Sequence, residues 1–168
     1  ADFYTAVTRS PSVYRGNPFL VEVGVAYGGP QTEEGQVRLL RFANRVPLLY
    51  QPGACAITEA VADTAWKSYG LGQSGGNLPT GPCTILVHVA SVWVPFTSES
   101  KEAIAHYPEI IKEIQLAAQE CGRKLATFIR KRKALDYQAQ RRSIFELYIE
   151  EVAMAIGSCA HGGRGGFS

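Results

Sequence analysis

The amino-acid sequence predicts an α+β fold, with a sheet formed by the first half of the chain and helix dominating the second. Segments rich in β-branched and aromatic residues, bounded by Gly and Pro, occur within residues 18–96. One stretch between them has the spacing of an amphipathic helix. From residue 107 onward, helical spacing continues almost to the end of the chain. This order of elements indicates a sheet packed against helices.

The first two predicted strands are "PFLVEVGVAYGG" (18–29) and "GQVRLLRFANRVPLLY" (35–50). The loop between them is short and contains Gly-Gly-Pro, so an antiparallel hairpin is the simplest arrangement. Asn44 and Pro47 indicate that the second strand bends or ends early.

A helix and a third strand are predicted next. "GACAITEAVADTAWKSYGL" (53–71) has helical spacing and a natural stop at Gly70. Residues 72–82 have the composition of a loop, and "CTILVHVASVWVPF" (83–96) is apolar enough for a strand covered on both faces. The letters of G-x-G-x-x-G (70–75) and G-x-S-x-G (72–76) occur here, but both motifs need a strand before them and a helix after them. We therefore interpret both as part of a flexible loop.

The rest of the chain is predicted to be helical. A helix of roughly 30 residues is indicated by apolar residues in steps of three and four, namely Tyr107, Ile111, Ile114, Ala118, Cys121, Leu125 and Phe128. Pro108 is expected to separate this helix from a short one that begins at Lys101, or to kink the two together. A further helix is predicted around residues 144–156. The Gly-rich end, "HGGRGGFS", is expected to be flexible.

Composition places the chain among globular proteins, with 168 residues, 46% hydrophobic and 19% charged. No apolar run reaches the roughly 18 residues of a membrane span. No motif indicates a metal site or a self-contained catalytic site, and the three histidines are widely separated; His88, inside an apolar strand, is expected to be structural. The cysteines at 55, 83, 121 and 159 form no C-x-x-C pair and are expected to be reduced, partly buried thiols. Reduced thiols favour an intracellular protein. Because the chain begins with Ala1 and has no signal-peptide pattern, we expect a piece of a longer polypeptide.

Lys101 is the best candidate for a functional side chain. The stretch "WVPFTSESKEAIAHYPEI" (93–110) places it in a predicted first helical turn, where a cation is disfavoured because that turn carries partial positive charge. Two explanations remain open from the residues alone. In one, the loop presents Lys101 to a phosphate. In the other, neighbouring hydroxyls cap the helix and carboxylates neutralise the lysine: Thr97, Ser98, Ser100, Glu99 and Glu102.

A second candidate is a basic stretch within residues 123–142. It holds eight bases and one acid, a charge of +7, while the rest of the chain carries −5 and the whole chain +2. Such a cluster suits a DNA contact, and a nucleic-acid-binding or scaffolding module is the alternative function that it suggests. An ordinary solvated helix face is the usual explanation of such a cluster, and "RKRK" could instead be a nuclear import signal if the source is a plant. The candidate DNA-contacting residues are Arg123, Lys124, Arg130, Lys131, Arg132 and Lys133.

Several long phrases of the sequence resemble one known family. "AVTRSPSVYRGNPFLVEVGVAYGG", "LLRFANRVPLLYQPGACAITEAV", "GPCTILVHVASVWVPFTSESKEAIA" and "QECGRKL" are similar to consecutive segments of the B subunit of DNA topoisomerase VI. This is the type IIB topoisomerase of archaea and plants, and the resemblance covers residues 6–155. It implies that the chain is the transducer domain, which follows a GHKL-type ATPase domain in the full subunit.

The resemblance implies a four-stranded, mostly antiparallel sheet backed by helices, similar to the second domain of a ribosomal protein, with a long C-terminal helix. The fourth strand would come from "YTAVTRS" or from part of "RFANRVPLLY". We expect a transducer at residues 1–134, a helical extension toward the A subunit at 135–158 and a flexible Gly-rich tail at 159–168. The final "CAHGGRGGFS" matches nothing in the family pattern.

The resemblance also implies a function. The family's "TSESKEA"-type loop aligns with residues 97–103, so Lys101 would contact the γ-phosphate of ATP held in the preceding domain. ATP and Mg²⁺ would be bound outside this fragment, which would carry no catalytic residue and be inactive alone. The implied partners are the DNA-cleaving A subunit, a second B subunit in an A2B2 heterotetramer, and double-stranded DNA, with no membrane. The expected location is nuclear for a plant protein and cytoplasmic for an archaeal one.

Overall fold

A computed structural model of the chain describes residues 1–30, 35–98 and 100–164, with side chains described as far as residue 157. The chain divides into two compact units, Ala1–Phe128 and Ile129–Ser168. The first unit contains a mixed sheet and several helical segments, and the second is helical. The predicted α+β class is confirmed.

Six strands form one sheet in the first unit. Four of them have six residues or more and two are short, so the four-stranded sheet is confirmed with two small additions. The strands are β1 (Phe3–Thr8), β2 (Ser12–Tyr14), β3 (Asn17–Tyr27), β4 (Arg38–Ala43), β5 (Val46–Pro47) and β6 (Cys83–Ser91). Their order is β1-β3-β6-β4-β5, with β2 also pairing with β3, and every pair except β4–β6 is antiparallel.

The predicted hairpin between the first two strands is wrong, because β6 lies between β3 and β4. β3 pairs with β6 over the whole of β6, from Phe19 opposite Ser91 to Tyr27 opposite Cys83. The valines and isoleucine that alternate along β3 and β6 are almost fully buried on one face, and both strands have a neighbour on each side. Its other face is only half covered, contrary to the prediction of two covered faces.

Both segments proposed for the fourth strand are strands. "YTAVT" forms most of β1, which pairs antiparallel with β3, and Val46–Pro47 forms β5. The predicted early end of the second strand is also confirmed. Asn44 and Arg45 have φ angles of 49° and 68°, and they make the tight turn between β4 and β5.

The helix predicted at 53–71 is broken. The structure has a 3-10 helix at Pro52–Ala54, α1 at Ala56–Ala62 and a second 3-10 helix at Trp66–Tyr69. Thr64 and Gln73 explain the break, because their side chains occupy the carbonyl groups with which a continuing helix would bond. The Thr64 hydroxyl donates to the Ala60 carbonyl at 2.8 Å, and the Gln73 amide donates to Ala62 at 2.9 Å and to Thr64 at 3.0 Å.

The second helix, α2, spans Pro108–Arg164 as one element. The prediction of separate helices before and after the basic stretch is therefore wrong. No proline interrupts the chain after Pro108, which occupies the first helical position, where a missing N–H costs nothing. The expected tail at 159–168 lies partly within this helix, and residues 165–168 lie outside the described residues.

Within the first unit, α2 packs on the sheet. Its fully buried residues are Ile110, Ile114, Ala117, Ala118, Cys121 and Leu125. The Cys121 thiol donates to the Val23 carbonyl in β3 at 3.4 Å, which marks the contact with the sheet. Arg9, just after β1, adds a salt bridge of 2.6 Å to Glu113. The predicted apolar stripe is correct in its middle, at Ile114, Ala118, Cys121 and Leu125, but at its two ends Ile110 rather than Ile111 and Ile129 rather than Phe128 are buried.

Candidate functional site

Lys101 lies at the tip of a narrow loop, residues 95–105, which we call the lysine loop. Two backbone hydrogen bonds close its stem: the Ala105 N–H donates to the Pro95 carbonyl at 2.7 Å, and the Thr97 N–H donates to Ala103 at 2.9 Å. A bridge between Phe96 and Ile104 lies between them. The loop is thus a short hairpin that presents its tip away from a paired stem.

The predicted helix start at Lys101 is wrong. Lys101 has φ 54°, in the left-handed region, and its N–H donates to the Ser98 carbonyl at 3.2 Å. Helix α2 begins only at Pro108, where the Tyr107 carbonyl accepts the first helical hydrogen bonds. The physical reason is the hairpin, because its return strand uses the backbone groups that a helix from Lys101 would need. The unfavourable helix-terminus argument therefore does not apply to this lysine.

The side chain of Lys101 is exposed, and none of the salt bridges among the described residues involves it. The hydroxyls of Ser98 and Ser100 bond to each other at 2.5 Å and cap no helix. Glu102 forms no ion pair with Lys101, and Glu99 lies outside the described residues. Among the described residues, the positive charge of Lys101 is therefore not neutralised by a neighbouring carboxylate.

Lys101 shares a cavity of about 680 Å³ with a second cation, Arg15. Arg15 and Gly16 have φ angles of 46° and 79° in the turn between β2 and β3, a geometry that this two-residue hairpin turn requires. The guanidinium carbon of Arg15 lies 4.8 Å from the centre of the Tyr107 ring, a cation–π contact that orients it. Sequence reasoning missed Arg15, because only the fold brings it to the cavity of Lys101.

Two buried groups fix the stem of the lysine loop to the body of the first unit. Ile104 is fully buried; its carbonyl accepts from the Ala56 N–H at 2.9 Å and its N–H donates to the Cys55 sulfur at 3.3 Å. Arg41 in β4 is 5% exposed, and its guanidinium donates to the carbonyl of Tyr50 at 2.8 Å and of Glu102 at 3.4 Å. A buried charge must be hydrogen-bonded, so Arg41 ties the residue next to Lys101 to the sheet.

All six candidate DNA-contacting residues are exposed on α2, but they belong to different units. Arg123 and Lys124 lie in the first unit, and residues 130–133 lie in the second. Four consecutive residues spread around most of the helix at 3.6 residues per turn, so they cannot all face one partner. Arg130 and Lys133 share a face, because three-residue steps keep side chains together.

Other expected features are located as follows. His88 is hydrogen-bonded, as predicted, since its Nε2 accepts from the Arg45 N–H at 3.0 Å. Cys55, Cys83 and Cys121 are buried free thiols, as predicted, and the side chain of Cys159 lies outside the described residues.

Within the described residues, no group of three or more His, Cys, Asp and Glu could hold a metal ion. No helix of the described chain is long and apolar enough to cross a membrane.

The comparisons of this sequence with a family model and with curated proteins agree on one family. Residues 1–141 match the family model for the topoisomerase VI B subunit, transducer. This chain belongs to that transducer family. It is similar to the type 2 DNA topoisomerase 6 B subunit of Methanococcoides burtonii, with 51% identity over 92% of this chain and 25% of the relative. The corresponding B subunit of Archaeoglobus fulgidus is 56% identical over 78% of this chain and 22% of the relative.

A third relative, the B subunit of Halobacterium salinarum, is 61% identical over 70% of this chain and 15% of its own length. The transducer therefore spans about a quarter or less of the length of these curated relatives. Among solved structures, the B subunit of DNA gyrase from Myxococcus xanthus has a TM-score of 0.45 and 20% identity, over 71% of this chain and 34% of that one. The family and the fold class expected from the sequence are both confirmed.

Proposed function

We propose that this transducer relays the nucleotide state of a full-length topoisomerase VI B subunit to the DNA-cleaving A subunit. The relay serves ATP-dependent passage of one duplex through another and the relaxation of supercoils. The single observation that carries the proposal is Lys101, an exposed cation without an ion-pair partner among the described residues, held at the tip of an anchored loop in a chain of this family.

The lysine loop fits a phosphate group as its partner. Lys101 supplies a mobile ammonium group, and Arg15 lines the same cavity with a second positive charge. An ammonium group is a good point charge for a phosphate, and the contact is strong when water is excluded. In this proposal Lys101 contacts the γ-phosphate of ATP, while ATP and Mg²⁺ are bound mainly by the part of the full-length subunit outside this chain.

The relay requires that the contact of Lys101 differ between nucleotide states. A ligand shifts a conformational equilibrium only through interactions that are stronger in one state than in the other. Lys101 meets this condition when it bonds a terminal phosphate that is present before hydrolysis and absent after it. The anchored stem then transmits the force at the tip to β4 and α1, because Arg41, Cys55 and Ala56 hold the stem by direct hydrogen bonds.

The second unit supports the proposed partner. Large apolar side chains that lie exposed on its helix are Leu135, Tyr137, Ile144, Phe145, Leu147, Tyr148, Ile149, Val152, Met154 and Ile156. A helix with so many exposed apolar groups indicates a protein interface. We assign this interface to the A subunit, within an A2B2 heterotetramer that acts on double-stranded DNA. Because the named relatives are archaeal, we place the protein inside the cell, in the cytoplasm.

Substitution of Lys101 in the full heterotetramer tests the proposal. A charged hydrogen bond contributes about 1.5–3 kcal/mol, so Lys101→Ala should slow ATP-dependent relaxation of supercoiled DNA by about 10- to 100-fold. Lys112→Ala is the matched control, because Lys112 is exposed on α2 and outside the cavity of Lys101. Normal relaxation by Lys101→Ala would remove this residue from the mechanism.

A second candidate function, DNA binding by the basic stretch, is favoured by the exposure of all six basic residues. It is compatible with the first, because a strand-passage enzyme holds a duplex. If Arg130 and Lys133 bind phosphates, replacing both with Gln in the full-length subunit should reduce the slope of log K against log salt by about 0.9 for each phosphate that is no longer neutralised. Lys112→Gln serves as the control, and an unchanged slope in the double variant would exclude this mode of binding.

A further inference from the structure

His106 directly follows the stem of the lysine loop, and its ring is held on both sides. The Nδ1 atom bonds the Glu59 carboxylate in α1, and the Nε2 atom lies 2.9 Å from the Ala54 carbonyl. Both partners are acceptors, so both ring nitrogens must donate. Neutral imidazole has a single N–H, and only the imidazolium ion satisfies both bonds.

The surroundings of His106 favour that charged form. Its pKa is raised above the ordinary 6.5, mainly by the hydrogen bond to Glu59, which outweighs the lowering effect of burial; the Ala54 carbonyl and the charge of Glu59 add smaller raising contributions. Glu59 on α1 is the charged group that faces the ring, and the 3-10 helix at 52–54 contributes only the carbonyl. An imidazolium–carboxylate pair therefore connects the end of the loop to α1.

We propose that Glu59 and His106 form a latch that positions Lys101, an inference that rests on the proposed function. The backbone of His106 continues from Ala105, whose N–H closes the stem at Pro95. The latch therefore fixes the return strand of the hairpin to α1. Since no salt bridge among the described residues holds the Lys101 side chain, the backbone of the stem determines where the ammonium group is presented.

The exposure of the pair separates this role from simple folding stability. The side chains of His106 and Glu59 are 42% and 44% exposed, and ion pairs of that exposure contribute little to stability. The buried Ile104 already secures the stem to Cys55 and Ala56. The latch fixes the orientation of the lysine loop at the end of its stem, where a small displacement of the backbone would move Lys101 at the tip. Positioning errors of about 1 Å in such sites have large effects on rate.

A matched pair in the same unit provides the control. His88 in β6 lies 3.7 Å from the carboxylate of Glu22 in β3, with the carboxylate 45% exposed. Both residues lie in the sheet and outside the lysine loop. Replacing Glu22 with Gln thus removes a histidine-facing carboxylate of similar exposure without changing an anchor of Lys101.

The test uses the full-length B subunit assembled with the A subunit. Glu59→Gln, His106→Gln and Glu22→Gln are each made alone and in the Lys101→Ala background, and kcat and KM for ATP are measured during relaxation. Glu59→Gln and His106→Gln should lower kcat about two- to fivefold, the factor that a partly exposed ion pair supplies. The Glu22→Gln protein should match wild type. In the Lys101→Ala background neither latch variant should lower kcat further, since the latch acts through Lys101.

The dependence of kcat on pH distinguishes the latch from a purely structural role, because loss of a structural contact alone would not shift that dependence. In the wild type, kcat should fall as the pH rises through the raised pKa of His106. Glu59→Gln should move this fall to lower pH, because it removes the main cause of the raised pKa, and His106→Gln should abolish it. An unshifted profile in Glu59→Gln would overturn the latch.

The outcomes separate the latch from the proposed function. A loss of activity in Lys101→Ala with none in Glu59→Gln would overturn the latch and leave the proposed function in place. An equal loss from Glu59→Gln with and without Lys101 would also overturn it, because the effect would not pass through the lysine. Full activity in Lys101→Ala would overturn the proposed function and the latch together.

Discussion

Replacing Gly122 with Ala tests how closely α2 packs in the first unit. A Cβ atom at position 122 would lie 2.6 Å from Cε2 and 2.9 Å from Cγ of the Tyr69 ring, and nearer still to Cδ2. Carbon atoms in contact prefer about 3.5–4.0 Å, so the ring or the helix must move. Tyr69 also packs edge-on against the fully buried Trp66, with ring centres 6.1 Å apart, and a shift of its ring disturbs this contact too.

The expected cost follows from two opposing effects. Overpacking of this kind costs about 1–3 kcal/mol, while Gly to Ala within a helix gains about 0.8–1 kcal/mol. Gly122→Ala should therefore lower the free energy of unfolding by up to about 2 kcal/mol. Gly157→Ala is the matched control in the same helix, because nothing lies within 4 Å of its added Cβ. It should be neutral or stabilising by up to about 1 kcal/mol.

Urea denaturation followed by circular dichroism measures both variants, and a third protein separates the clash from other effects. In a Tyr69→Ala background the ring is absent, so Gly122→Ala should there become neutral or stabilising. The reasoning would be refuted if Gly122→Ala were as stable as Gly157→Ala with Tyr69 present, because the two variants share the Gly-to-Ala gain and differ by the overpacking cost of about 1–3 kcal/mol. It would also be refuted if the cost persisted without the ring, since the close approach would then not be its cause.

Two further predictions concern titratable groups. The pKa of His106 is raised in the folded chain, so the stability that this side chain contributes is fully present below about pH 6.5. That contribution is lost as the pH rises through the raised pKa. The urea midpoint of the wild type should therefore exceed that of His106→Gln by more at about pH 6 than at about pH 8.5. Equal differences at the two pH values would contradict this. Burial raises the pKa of Cys83 to about 12 and of Cys121 to about 11, so both thiols should resist alkylation in the folded chain at about pH 8 and react on unfolding. Rapid labelling of the folded protein, read by mass spectrometry, would contradict the burial.

The sequence predicted local features better than long-range pairing. Turn residues such as Asn44 and the spacing of apolar residues in α2 have local physical causes, and both predictions are confirmed. The hairpin prediction failed because turn residues indicate only that the chain reverses direction. They do not indicate which strand becomes the neighbour of β3 in the sheet. The central place of β6 follows from burial of residues far apart in the chain, and no local pattern contains it.

The candidate site was predicted in part for the same reason. Lys101 was found from its own neighbourhood, but its predicted helix did not exist, because backbone bonds to residues 95–98 fold the segment back. Three of the residues that surround or anchor it lie far from it in the chain, namely Arg15, Arg41 and Glu59, and His106 lies just after the stem of its loop. Glu59 and His106 are 47 residues apart, and spacing gives no signal for such a pair. The fold has to be known before they can be connected.

Position 101 combines two features that stability does not explain. A left-handed conformation costs a residue with a side chain about 1–2 kcal/mol, and glycine would adopt it at no such cost. Lys101 has φ 54°, and its side chain is part of no salt bridge among the described residues that could offset the strain. Hydrogen bonds of about 0.5–1.5 kcal/mol each, made by Ile104 and neighbouring anchors, are sufficient to hold the turn. Since a strained turn needs anchors but not a cation, the conformation of Lys101 supports the proposal that its side chain binds an anion.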